Sequence, residues 1–113
     1  MVITVTSIKL KSVWYFFRLS AWGYKIQKQL RKEPGFIKMK NTGFGSDHYT
    51  LSVWQSENDL KRFARSGVHA EAMKQSRSLS TEIRTYTFTS DIIPGWPEAK
   101  DLLRSKAKVL QFK

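Results

Sequence analysis

Asp47 to Ser76, DHYTLSVWQSENDLKRFARSGVHAEAMKQS, is the stretch from which the rest of the 113-residue chain is read. Tyr49, Leu51 and Val53 alternate with Thr50, Ser52 and Trp54, the period of a half-buried strand. Ser56 then stands where a helix N-cap belongs, with Glu57 and Asp59 in the first turn, where the helix dipole favours negative charge. Leu60, Phe63 and Ala64 follow at helical spacing until Gly67 interrupts. A second helical run puts Val68, Ala72 and Met73 on one face, with His69 and Glu71 beside it. The unit is a strand, a tight turn and a broken helix.

Working outward, Val2 to Leu10 alternates as a strand, stiffened by the β-branched Thr4 and Thr6. Ser12 can cap a helix over Val13 to Lys32, where Leu19, Trp22, Ile26 and Leu30 recur at three- and four-residue steps and Pro34-Gly35 makes the stop. Phe36 to Lys40 reads as a short strand, and Asn41 to Ser46 as a glycine-rich hairpin connection to the Tyr49 strand. Beyond the broken helix, Glu82 to Thr89 is a fourth strand. The order β-α-β-β-α-β predicts an α+β, ferredoxin-like fold: a four-stranded antiparallel sheet with both helices on one face. The other face would then expose a larger apolar patch than a monomer tolerates, so a two-fold dimer is expected. Residues 91–113 form a C-terminal extension to a core at 2–90 within a single domain. A short helix over Pro97 to Ser105 and an edge strand over Val109 to Phe112 are expected there.

Hydrophobic residues at 41% and aromatics at 13% exclude a disordered chain. The absence of cysteine excludes disulfides, thiolate metal sites and a cysteine nucleophile. The net charge of +11 lies mainly in residues 1–46, where Glu33 is the single acid. The basic residues are interspersed among apolar ones with no long run, so they read first as a solvated face rather than a nucleic-acid site. The apolar run Val13 to Phe17 is far too short to span a bilayer, and Met1 to Ile8 carries none of the basic residues that open an export signal. A cytoplasmic protein without membrane insertion is expected.

Ser52-Val53-Trp54, Ser56-Glu57, Phe63 and Ser66 to Ala72 together resemble the dimeric α+β barrel superfamily, which includes antibiotic-biosynthesis and haem-degrading monooxygenases. Gly35-Phe36-Ile37-Lys38 followed by Thr42-Gly43-Phe44-Gly45 is similar to spheroidene-monooxygenase-like members. Haem-degrading members use an Asn on the first strand, a Trp ending the third and a His on the second helix. Trp54 matches the Trp, Thr4 to Ile8 holds no Asn, and the helical position falls on Met73 with His69 one turn earlier. The resemblance thus implies a homodimer with a hydrophobic small-molecule pocket and no cofactor, haem being the one group for which part of a triad is present.

His69 is the candidate catalytic residue, as general base or axial ligand; the competing reading is a helix-terminus histidine bonded to backbone or a carboxylate. His48 reads as a solvated loop residue. Trp54, Trp14, Trp22, Tyr86 and Phe88, with Phe63 and Met73, can line a pocket for a flat ligand or serve as ordinary core. Arg84 can meet an anionic substrate group or a neighbouring acid. The Gly-x-Gly at Gly43 and Gly45 is a turn, since no helix follows it and a third glycine is missing. Two functions follow as expectations. One is a monooxygenase-like protein binding a cyclic or aromatic ligand; the other is a non-enzymatic module using its basic surface for nucleic acid or a protein partner.

Overall fold

The computed structural model describes residues 1–112, apart from the side chain of Val68, so the expected place of Val68 on a helix face lies outside the described residues. Strand β1 (Val2–Leu10) leads through a 3-10 turn (Val13–Tyr15) into helix α1 (Phe16–Leu30). Strands β2 (Phe36–Phe44) and β3 (Asp47–Trp54) form a hairpin, followed by helices α2 (Glu57–Ala64) and α3 (Gly67–Leu79). Strand β4 (Ser80–Thr89), helix α4 (Trp96–Ser105) and strand β5 (Lys108–Gln111) complete the chain. The sheet is antiparallel in the order β2-β3-β1-β4-β5. The first four strands keep the ferredoxin-like order, and β5, close to the edge strand expected over Val109 to Phe112, pairs with β4 so that the sheet has five strands instead of four.

The local signals act as their chemistry dictates. Ser56 Oγ accepts the Asp59 backbone N–H at 3.2 Å and donates to Asp59 Oδ2 at 2.8 Å, closing the start of α2. Ser66 repeats the device for α3, accepting the His69 N–H at 3.3 Å, so the helical run breaks into two capped helices around Arg65 and Ser66. The expected helix over Val13 to Lys32 splits at its start, where Ser12 caps the 3-10 turn. β2 runs four residues further than Lys40, because Asn41 to Phe44 find partners in Thr50 to Asp47 and only Gly45-Ser46 remain as the turn.

Two cores flank the sheet. Val2, Trp54, Phe63 and Leu30 pack on the side of α1 and α2, with Ile26, Phe36, Met39 and Leu60 around them. On the other side Ile3, Val5, Leu51 and Val53 are buried against Ala99 and Leu103 of α4. The second core overturns the expectation of an uncovered sheet face, because α4 folds back over it. Its landing is held at several points. Lys40 Nζ donates to the Pro94 carbonyl at 3.0 Å and lies over the Trp96 ring, Lys100 lies over the Tyr49 ring, and Arg84 donates to the Leu103 carbonyl at 3.4 Å. Among the described residues no helix is long and apolar enough to cross a membrane.

Candidate functional site

The sheet face toward α1, α2 and α3 is hydrophobic only at its ends. Its middle carries Thr4 and Thr6 from β1 and Thr50 and Ser52 from β3, which form the floor of a cavity of about 840 Å³. These positions alternate with Ile3, Val5, Leu51 and Val53, which the pleat turns toward α4. Cross-strand hydroxyl pairs continue the floor: Thr4 Oγ1 lies 2.9 Å from Thr87 Oγ1, and Thr6 Oγ1 lies 3.4 Å from Thr85 Oγ1. The floor is therefore neutral and rich in hydroxyls, able to donate or accept.

The walls are apolar. Leu19, Trp22 and Ile26 come from α1, Met39 from β2, Leu60 and Phe63 from α2, and Met73 from α3. Their helical spacing turns one stripe of each helix inward. Gln27, Asn41, His69 and Ser76 place a few polar groups among them. An apolar enclosure with sparse polar groups suits a hydrophobic ligand that needs orientation at a small number of atoms.

His69 is half-buried on the first turn of α3, its ring edge-on to Phe63 at 5.1 Å between centroids. Burial lowers its pKa from the ordinary 6.5, and a hydrogen bond with the Ala64 carbonyl works in the opposite direction. The imidazole is consequently neutral at pH 7. A neutral imidazole carries one acceptor nitrogen, the form a general base requires.

The sequence candidates separate in space. Trp22, Phe63, Met73 and His69 meet at the cavity. Trp54 is fully buried behind it, between Phe36 at 5.6 Å and Phe63 at 5.4 Å, and its indole N–H donates to the floor residue Ser52 at 3.1 Å. Trp14 projects into solvent from the 3-10 turn. Tyr86 and Phe88 stack on each other at 5.5 Å on the opposite face, under α4. Arg84 also lies on that side, paired with Glu82 at 3.2 Å in a polar recess of about 200 Å³. There its guanidinium holds the Glu82 carboxyl below the usual range. The reading of His48 as a loop residue is corrected: it belongs to β3, stacks on Phe16 at 5.0 Å and lines the cavity.

Sequence reading missed the floor. Thr4, Thr6, Thr50 and Ser52 look like ordinary strand formers, and the available signal was their strict alternation with the most apolar residues of the same strands. Among the described residues no three histidine or carboxylate side chains converge as a metal site.

No protein-family model matches the sequence, and none of the curated proteins does. Solved structures match the fold. SnoaB, a cofactor-independent oxygenase from Streptomyces nogalater, superposes with a TM-score of 0.69 at 14% identity, over 81% of this chain and 94% of that one. A conserved protein from Methanosarcina mazei gives 0.73 at 15% identity over 80% and 92%. A further structure, an antibiotic biosynthesis monooxygenase, gives 0.69 at 9% identity over 83% and 100%. The order of strands in the sheet and the placement of the helices thus give this chain the ferredoxin-like α+β fold that these solved structures share.

Proposed function

We propose that the chain is a monooxygenase-like protein that binds a hydrophobic, cyclic small molecule between the sheet and α1 to α3 and oxidises it without a cofactor. The observation that carries this reading is the cavity of about 840 Å³, with its hydroxyl floor, apolar walls and neutral His69. Trp22, Phe63 and Met73 would clasp the ring faces, and the hydroxyls of Thr50 and Ser52 would orient a ring oxygen. An electron-rich ring methylene is a fitting reacting group. His69 would accept one of its protons, and the resulting carbanion would give electrons to O₂. One oxygen atom would end as a ring carbonyl and the other would leave as water. Enclosure by the helices would keep bulk water from the reactive anion. Trp54 would act indirectly, by fixing Ser52.

The working form in this reading is a cytoplasmic homodimer. With the far face of the sheet closed by α4, exposed Ile92 and Val109 leave apolar surface near the C-terminal edge for a second copy. A nucleic-acid module is less well supported, because the aromatic pair Tyr86 and Phe88 that would stack on bases packs beneath α4.

Native mass spectrometry of freshly purified protein tests the reading, with Met73→Trp as a variant that fills the cavity. A dimer carrying one discrete small-molecule mass, lost in the variant, is expected. An empty monomer, or an adduct that the variant retains, overturns it.

A further inference from the structure

We infer that the rim of the cavity is a docking surface for an anionic lipid bilayer. The rim is formed by residues that a water-soluble surface usually hides. Phe44 is 93% exposed, Trp14 74% and Phe17 69%, and Val13, Phe16 and Tyr24 are exposed beside them. Val13, Phe16, Tyr24 and Phe44 line the cavity itself, and Phe17 packs on Phe16 at 6.0 Å between ring centroids. The apolar surface and the opening of the cavity are therefore one feature, contributed by the 3-10 turn, α1 and the end of β2. A contiguous apolar patch of this kind marks an interaction site.

Charge selects the partner. Residues 11–32 hold Lys11, Arg18, Lys25, Lys28, Arg31 and Lys32 and not one acid. Three of these cations lie on aromatic rings of the same segment: Lys25 Nζ is 4.5 Å from the Trp22 centroid, Lys28 Nζ 5.5 Å from Tyr24 and the Arg18 guanidinium 5.9 Å from Tyr15. Trp22 and Tyr24 both line the cavity, so cations stand directly at its rim. Apolar tips, amphipathic rings and ammonium groups repeat the depth order of a bilayer interface, from acyl chain through the ester region to phosphate. A basic surface of this composition is complementary to acidic headgroups. Docked there, the cavity would open onto the acyl region, and an apolar ligand could enter without crossing water. That last step rests on the proposed function, whereas docking stands on the surface alone.

The test is co-sedimentation with vesicles of phosphatidylcholine, alone or mixed with phosphatidylglycerol, using the wild-type chain and a Trp14→Ser/Phe17→Ser variant. Both side chains are exposed, so the variant is expected to melt with the wild type. The expected result is binding to the phosphatidylglycerol vesicles, weakened by salt at about 0.5 M, where the Debye length falls to a few ångströms. The variant should bind about tenfold more weakly or worse, and each cation of the rim removed should cost about fivefold. No binding to acidic vesicles overturns the inference, as does binding that the double substitution leaves unchanged, which would be plain adhesion of a basic protein. A change in the variant's oligomeric state with vesicle binding intact also overturns it, by assigning the patch to a second copy. Ligand retention in native mass spectrometry is read separately, so either idea can fail alone.

Discussion

The imidazole of His69 meets the ring of Phe63 edge to face across the break between α2 and α3, with 5.1 Å between the ring centroids. The contact exists because Ser66 restarts the helix three residues after Phe63, turning the first turn of α3 back over the end of α2. It places a titratable ring against an apolar wall, where its charged form is disfavoured.

This sets a pH dependence with a definite sign. The folded pKa of His69 lies below 6.5, so the unfolded chain takes up the proton first as pH falls. The contribution of neutral His69 to stability is full above about 6.5 and is lost on acidification through the folded pKa. Urea melts between about pH 5 and pH 8 should show wild-type stability falling on the acid side, with His69→Gln flatter over the same window. An identical slope in both proteins would exclude burial of His69 as its source.

Trp54 makes a second prediction. It fills the space between Phe36 and Phe63 and is the donor for Ser52 on the cavity floor. Trp54→Ala should cost about 3–5 kcal/mol, the range for emptying an aromatic site in a core. Trp54→Phe should cost less, since it keeps a ring but leaves the Ser52 hydroxyl without its donor. Denaturant unfolding ranks the two, and equal stabilities would contradict this account of the site.

Two glycines should respond oppositely to alanine. Gly35 has φ of +83°, and a Cβ there would overlap the Asp59 carboxylate, which is tied to Ser56 and Arg62. The left-handed backbone alone costs an L-residue about 1–2 kcal/mol, so Gly35→Ala should lose at least that much. At Gly67, the first residue of α3, a Cβ meets nothing within 4 Å. Gly67→Ala should be neutral or stabilise by about 0.4–1 kcal/mol by restricting the unfolded chain. Paired thermal melts check both directions.

The parts legible in the sequence are those governed by neighbours along the chain. Ser56 with Asp59, the alternation of Leu51 and Val53 with Thr50 and Ser52, and the helix stop ahead of Pro34-Gly35, expected after Lys32 and found after Leu30, are local events, and their chemistry needs no knowledge of the fold. The strand character of Asn41 to Phe44 was hidden because Asn and Gly look like a loop until Thr50, Tyr49 and His48 supply ladder partners. The landing of α4 was hidden for a related reason. Ala99 and Leu103 announce an apolar stripe, but nothing local says which surface receives it. Tyr86 and Phe88 look like pocket aromatics until strand pairing fixes their face: they sit opposite Val5 and Ile3 rather than Thr6 and Thr4. Likewise, the cavity floor emerges only when β1 and β3 bring their hydroxyls side by side.

The closure of the sheet by α4 also bears on how the chain folds and assembles. Ile3, Val5, Leu51 and Val53 are shielded within one polypeptide, so the protomer need not wait for a second copy to complete its hydrophobic interior. Folding can then proceed as a first-order event, with association as a later and separable step. A lone protomer would survive dilution with its hydrophobic interior intact.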